Sequence, residues 1–201
     1  MRSVHSTDPL SMAEILEDDV ELVEIQDAVP KPIRAFAAAV MQTRRLGAPL
    51  WALLDNSQDP APECCETSLA PLADVEGQKQ FAAWLRHWVA GFASLNDNNT
   101  TGLRVSHLRA PMCPRFHVDQ VPTRMIVTLE GAGTEWLPAN ATATLGEDGQ
   151  CNSTDAVRQL APGSVGLFKG SGFDDGRARG VIHRSPSGAE DRLVMTLDAV
   201  L

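Results

Sequence analysis

From Leu103 onward the chain breaks into short strand-like segments, at 103–108, 115–119, 124–130, 134–137, 164–169, 179–183 and 192–199, with no long helix between them. Clusters of Gly, Pro, Asp and Ser divide one segment from the next. Strands in this arrangement predict a closed antiparallel barrel or jelly roll. Two segments alternate clearly. In 124–130, Met125, Val127 and Leu129 share one face, and Arg124, Ile126, Thr128 and Glu130 share the other. In 192–199, Leu193, Met195 and Leu197 oppose Arg192, Val194, Thr196 and Asp198. Half-polar alternation suits a wall with a functional interior. It leaves open which face is inside.

The first half reads as mostly helical. Ser11 and Glu14 form a capping box, with Leu10 and Ile15 at the staple positions of a short acidic helix. A second helix is predicted from Pro32 to Leu46, with Ile33, Phe36, Ala37, Val40 and Met41 on one stripe and Gly47 to end it. Residues 55–73 read as an irregular connection. A third helix spans about 75–93, where Phe81, Trp84, Leu85, Trp88, Val89 and Phe92 make an aromatic stripe suited to a sheet. His87 lies off that stripe. No flexible linker separates the halves, so the 201 residues are expected to form one domain. In that domain, 1–100 is a mainly helical extension bracing the sheet and 101–201 is the β-barrel core.

Charge narrows the function classes. The net charge of −9 argues against broad attraction to nucleic acid or anionic membrane. Arginine outnumbers lysine by 14 to 3, scattered and without a basic tract. No apolar run reaches the ~18 residues of a membrane helix. The acidic first twenty-five residues are the opposite of a signal peptide. The four cysteines, Cys64, Cys65, Cys113 and Cys151, are too few for a disulfide scaffold, and a reducing cytoplasm is expected.

The chemistry concentrates in three places. The segment CPRFHVD carries His117 and Asp119 at i and i+2, on one face if the segment is extended. GVIHRSP supplies His183. Two histidines and one carboxylate make the facial triad of non-haem iron(II) sites, which leaves coordination positions open. Arg192 follows His183 after the turn SPSGAED, on a neighbouring strand where its guanidinium can clamp a small carboxylate in a bidentate pair. Thr128 and Ser185 are candidate helpers. Arg124 is a second candidate clamp, although a solvent-facing arginine is the plainer reading. Cys113 is either a soft zinc ligand beside His117 and Asp119 or a residue of the turn fixed by Pro111 and Pro114. Gly131 and Gly133 permit a tight loop or close backbone approach. Glu135 and Trp136 just beyond them either line the mouth or, for Trp136, plug the core. His107 is a candidate hydrogen-bond donor to a metal ligand or a substrate base, with a structural role the plainer alternative. The Gly-rich LFKGSGFDDG around Lys169 lacks phosphate-loop spacing and reads as a lid or a surface loop.

HxD, a distant His, then Arg nine residues on resembles the 2-oxoglutarate and iron(II)-dependent oxygenase superfamily. More narrowly, CPRFHVD, TLEGAGTEW, the FKG segment and HRSP followed by RLVMTLD resemble the bacterial family DUF1826. The resemblance implies a cupin-like double-stranded β-helix. It implies iron(II) held by His117, Asp119 and His183, and 2-oxoglutarate held by Arg192. It also implies company with metallochaperone GTPases and a role in metal homeostasis. The activity expected is hydroxylation or demethylation of an unidentified small molecule or protein side chain. Two alternatives stand beside it. One is a non-enzymatic accessory protein binding zinc(II) or iron. The other is a structural interaction protein, which predicts no specific metal loss when His117 or His183 becomes Ala.

Overall fold

The computed structural model describes residues 1–56, 62–97, 99–146, 148–176, 179–188 and 191–200. The alternating segments of the second half become β4 (Thr100–Leu108), β5 (Thr123–Glu130), β6 (Glu135–Leu137), β8 (Val165–Lys169), β9 (Ile182–Arg184) and β10 (Arg192–Ala199), with the two-residue β7 (Arg158–Gln159). Three further strands come from the first half: β1 (Arg2–Ser6), β2 (Val20–Ile25) and β3 (Leu50–Asp55). Seven of these form a mixed sheet in the order β1-β2-β8-β5-β10-β4-β3. In it only β1 and β2 run parallel. The others make an antiparallel sheet of three, β7-β6-β9.

The large sheet has two different faces, which settles the orientation that alternation left open. Leu103, Val105, Met125, Val127, Leu129, Leu193, Met195 and Leu197 enter one core with α1 (Lys31–Thr43) and α3 (Gln78–Asn96). Phe36 stacks on Phe81 at 4.8 Å between the two helices. Each large side chain buried there stabilises the fold by ~1.5–3 kcal/mol. The opposite face meets the small sheet, where Leu22, Ile126, Phe168 and Val194 pack with Trp136, Leu160 and Val181. Arg124, Arg192 and Thr196, with Thr128 on Arg192, therefore point between the sheets, while a register shift at Leu193 leaves Glu130 on the α1 side. Among the described residues no helix is long and apolar enough to cross a membrane.

The first half departs from the helical expectation. Val20–Ile25 is an interior strand with every residue buried, because both of its faces are covered. Its acids accept backbone hydrogen bonds: Glu24 Oε1 from Ala161 N–H at 2.7 Å and Glu21 Oε1 from Ala139 N–H at 3.1 Å. Those bonds turn an acidic, helix-like run into a buried strand. Ser11 does not cap a helix. Asp8 accepts the Leu10 N–H at 3.0 Å and caps a 3₁₀ helix over Pro9–Leu16, while Ser11 donates to Ser6. The second helix stops at Thr43, earlier than expected, because Arg44 adopts φ 51°. Part of the expected connection at 55–73 is α2 (Pro62–Ser68), and residues 57–61 and the Cys64 side chain lie outside the described residues. Residues 115–119 are not a strand. The segment keeps a single bridge, His117 to His183, and is flanked by Pro114 and Pro122, which cannot extend it with backbone donors of their own.

Candidate metal centre

That bridge joins two of the three ligands of the site. His117 N–H donates to the His183 carbonyl at 3.0 Å, and His183 N–H donates back at 2.9 Å. The two imidazoles leave the same side, with ring centroids 4.6 Å apart. His183 Nδ1 lies 3.0 Å from the Val181 carbonyl, and His117 Nδ1 lies 3.0 Å from the Arg115 carbonyl. A carbonyl oxygen only accepts, so each Nδ1 carries a proton and each Nε2 presents a lone pair. Phe168 meets the His183 ring edge-on at 5.2 Å and holds its orientation.

Both Nε2 atoms face Asp119. His183 Nε2 is 3.1 Å from Asp119 Oδ2, and His117 Nε2 is 3.8 Å from Oδ1. The ligand atoms of the three residues lie within 4.8 Å of one another, the only such grouping among the described residues. Asp119 Oδ1 is taken by Arg124 Nη1 at 2.7 Å. Oδ2 is buried and accepts no hydrogen bond. An orphaned anionic oxygen between two neutral imidazole lone pairs is what a divalent cation satisfies. Ligands at ~2.1 Å and right angles stand about 3 Å apart, close to the His183–Asp119 separation. The residues present therefore fit the metal. Burial raises the Asp119 pKa, but in the metal-free protein, with protons on the imidazoles, the His183 hydrogen bond and charge, Arg124 and His117 outweigh it and hold the carboxyl down at about 2; a bound cation takes the place of those protons. Asp119 is a ready anion at any physiological pH.

The Asp119 loop is clamped by glycines. Ser171 N–H and Oγ both donate to the Asp119 carbonyl, at 2.8 and 3.2 Å, and Gly170 N–H donates to Pro122 at 2.8 Å. A Cβ on Gly170 would stand 1.9 Å from the Val121 carbonyl oxygen, so only glycine permits this approach. The FKG segment is thus a clamp for the ligand loop. Lys169 beside it is buried, donates to the Glu17 carbonyl at 2.7 Å and lies over the Phe173 ring.

Arg192 lines the same cavity of about 160 Å³ as the three ligands. Nε donates to the Ala132 carbonyl at 2.7 Å, and Nη2 to Thr128 and Thr134 at 3.1 and 3.3 Å. Gly131, at φ 94°, makes that loop possible, since a Cβ there would meet the Asp191 carbonyl oxygen at 2.5 Å. Burial pushes the guanidinium down to about 10, with Glu135 opposing. Among the described residues Arg192 has no carboxylate partner, because Glu135 pairs with Arg184 at 2.7 Å.

The remaining candidates divide. Ser185 lines the cavity and accepts the Cys113 N–H at 3.3 Å. Cys113 is a free thiol in the cavity wall, outside the ligand grouping. Thr128 positions Arg192. Trp136 is a core residue, 4% exposed. Arg124 is neither solvent-facing nor uncommitted: besides Asp119 it holds Asp198 through Nε and through Nη2 at 3.0 Å. His107 sits on the helix-facing side of β4, opposite Leu193 in β10, while Arg104, Ser106 and Leu108 face the cavity. It lies 3.3 Å from Asp191 in a separate hollow, away from the three ligands. Arg104, Ser106 and Thr196 were not among the candidates. The parity that puts Arg192 and Val194 inward also marks Thr196.

Solved structures share this fold at low identity. A dioxygenase for auxin oxidation from rice aligns with a TM-score of 0.58 at 15% identity, over 98% of this chain and 82% of that one. The Arabidopsis thaliana dioxygenase for auxin oxidation 1, in its 2-oxoglutarate complex, gives 0.57 at 12% identity, over 98% and 91%. A Pseudomonas putida prolyl-4-hydroxylase gives 0.51 at 12%, over 94% and 96%. No curated protein sequence matches. One family profile, described as "Protein of unknown function (DUF1826)", matches residues 6–198, a span holding the small sheet, nearly all of the large sheet beyond β1, the three ligands and Arg192. The chain belongs to the DUF1826 family.

Proposed function

We propose that this protein is an iron(II) and 2-oxoglutarate-dependent oxygenase that hydroxylates or demethylates a small molecule or a protein side chain. One observation carries the reading. Two imidazole lone pairs and an unsatisfied carboxylate oxygen converge in a cavity that also holds a buried arginine without a carboxylate. Two sheets facing each other across that cavity support a jelly-roll fold. The likeness to 2-oxoglutarate dioxygenases is a likeness of fold and supports the same architecture.

When bound, iron(II) and 2-oxoglutarate supply the oxidising power, with succinate and carbon dioxide as co-products. The chain supplies placement. His117 and His183 would present Nε2, each held by its Nδ1 hydrogen bond. Asp119 would present Oδ2 while Arg124 holds Oδ1. Arg192 would receive the distal carboxylate of the co-substrate, its own orientation locked by Ala132, Thr128 and Thr134. The facing sheets shield the space between them on two sides.

Anaerobic titration tests the proposal. Iron(II) and 2-oxoglutarate together should give a charge-transfer absorption, and either alone should not. His183→Ala should abolish it. Arg192→Ala should weaken the co-substrate at least tenfold and leave metal affinity within threefold. Tight zinc binding with no co-substrate binding would favour a metal-accessory protein instead.

A further inference from the structure

The cavity has a second polar cluster, which the metal and co-substrate sites leave unused. Four arginines line the cavity. Arg124 is spent on Asp119 and Asp198, Arg184 on Glu135, and Arg192 on the groups that orient it. Arg104 alone has neither a hydrogen-bond acceptor nor an ion-pair partner among the described residues. Its one partner contact is with the Trp51 ring, 5.0 Å from the guanidinium carbon.

Beside it are two orphaned hydroxyls. Ser106 Oγ and Thr196 Oγ1 are buried, at 3% and 4% residue exposure, face the cavity and have no hydrogen-bond partner. The register brings the three together. Arg104 lies directly opposite Thr196, and Ser106 opposite Val194. Directly opposed residues stand ~5 Å apart on one face of an antiparallel pair. A cation and two unsatisfied donors form a built site for an anionic oxygen group. Burial and the like charge of Arg124 lower the pKa of Arg104, with Asp198 and Asp119 opposing, and an incoming anion would offset the Arg124 repulsion.

This cluster is not the Arg192 site. Arg192 and Thr196 are four residues apart on β10, or about 13 Å along the strand. A co-substrate anchored at Arg192 and reaching toward the metal leaves Arg104 open. The walls between are apolar, from Leu108, Met112, Ile126 and Val194. Trp51, on β3 opposite Arg104 and 65% exposed, continues that apolar surface to the rim.

We propose that the substrate is a small monocarboxylate with an apolar body, and that Arg104, Thr196 and Ser106 hold its carboxylate. The proposal rests on the oxygenase reading for the word substrate. The anion subsite itself stands on the geometry alone.

Calorimetric titration with phenylacetate and with its neutral amide, phenylacetamide, tests it, using protein loaded with cobalt(II) and 2-oxoglutarate. Wild type should bind phenylacetate at least tenfold more tightly than the amide. Arg104→Met should remove that preference while cobalt(II) and 2-oxoglutarate affinities stay within threefold. Arg104→Lys, which keeps the charge, should retain part of it, and Thr196→Val should weaken phenylacetate severalfold. Arg192→Ala, titrated with cobalt(II) alone, should keep the preference, which separates this subsite from the co-substrate site. Wild type that fails to distinguish acid from amide, or Arg104→Met that still does, overturns the proposal. Failure of metal or co-substrate binding with the acid preference intact would sink the oxygenase reading and support the subsite.

Discussion

Replacing Arg124 by Met should destabilise the metal-free protein more than any surface charge change, and the amount follows from the burial of its partners. The guanidinium sits between two carboxylates, with side chains 18% exposed for Arg124, 11% for Asp119 and 15% for Asp198. Met fills the space and removes the charge. Two buried anions then stand without their shared cation. Breaking a buried ion pair from one side costs ~3–5 kcal/mol, and partial solvent access here puts the loss near the lower end, about 3 kcal/mol. At roughly 2–4 °C per kcal/mol for a chain of this size, the midpoint should fall by about 6–12 °C. Urea denaturation of chelator-treated protein at neutral pH measures the loss directly, provided the slope is unchanged. Asp198→Asn in the same background should recover part of it, because one of the stranded charges is gone. Saturating cobalt(II) should recover more, since the cation replaces the missing positive charge at Asp119. A loss below about 1 kcal/mol, or a deficit that metal does not reduce, would refute the assignment of Arg124 as the group that holds Asp119 ready.

Acid should expose the same carboxylate. The Asp119 pKa is depressed from 3.8 to about 2, so its contribution is fully present above 3.8 and is lost as pH falls toward 2. That contribution is about 2 kcal/mol by linkage, and the stability of Asp119→Asn should lack this acid limb in the metal-free protein. Gly170→Ala should lower metal affinity at least tenfold in a cobalt(II) titration, because its Cβ would collide with the Val121 carbonyl that the ligand loop depends on. Gly47→Ala, with nothing within 4 Å, should leave metal affinity unchanged and should not lower stability, raising it by at most about 1 kcal/mol. Cys113→Ser should keep metal affinity within threefold of wild type, and a large loss would return the thiol to the ligand set. His107→Ala should leave both metal and co-substrate titrations unaltered, since its ring lies on the other face of the sheet.

The second half of the fold was legible because its strands have one apolar and one polar face, so period-two alternation reports the sheet directly. The same periodicity put Arg192, Val194 and Thr196 on one side, and the structure shows that this side is the cavity. His117, Asp119 and His183 were legible as residue types in order, although only the fold could bring residues 64 positions apart together. The first half was misread where local pattern and tertiary context disagree. Val20–Ile25 carries two glutamates in a run of acids, and the backbone donors of Ala139 and Ala161, with His5 on Glu24, explain why they are buried in a strand. Residues 115–119 look extended in sequence, yet they form no ladder and the ligands are held instead by one bridge and the Gly170 clamp. Arg124 looked like a free cation because Asp198 lies 74 positions away and pairs with it only through the β5–β10 register. Its near neighbour Arg104 was silent for the converse reason. An arginine becomes informative when its expected partner is missing, and a missing partner is visible only in three dimensions.

The most direct test of the central claim is an anomalous difference map at the iron edge, from crystals grown anaerobically with iron(II). One peak is expected, within about 2.2 Å of His117 Nε2, His183 Nε2 and Asp119 Oδ2, with Arg124 still on Oδ1. No peak at saturating iron(II), or a peak that does not touch both imidazoles, would contradict it.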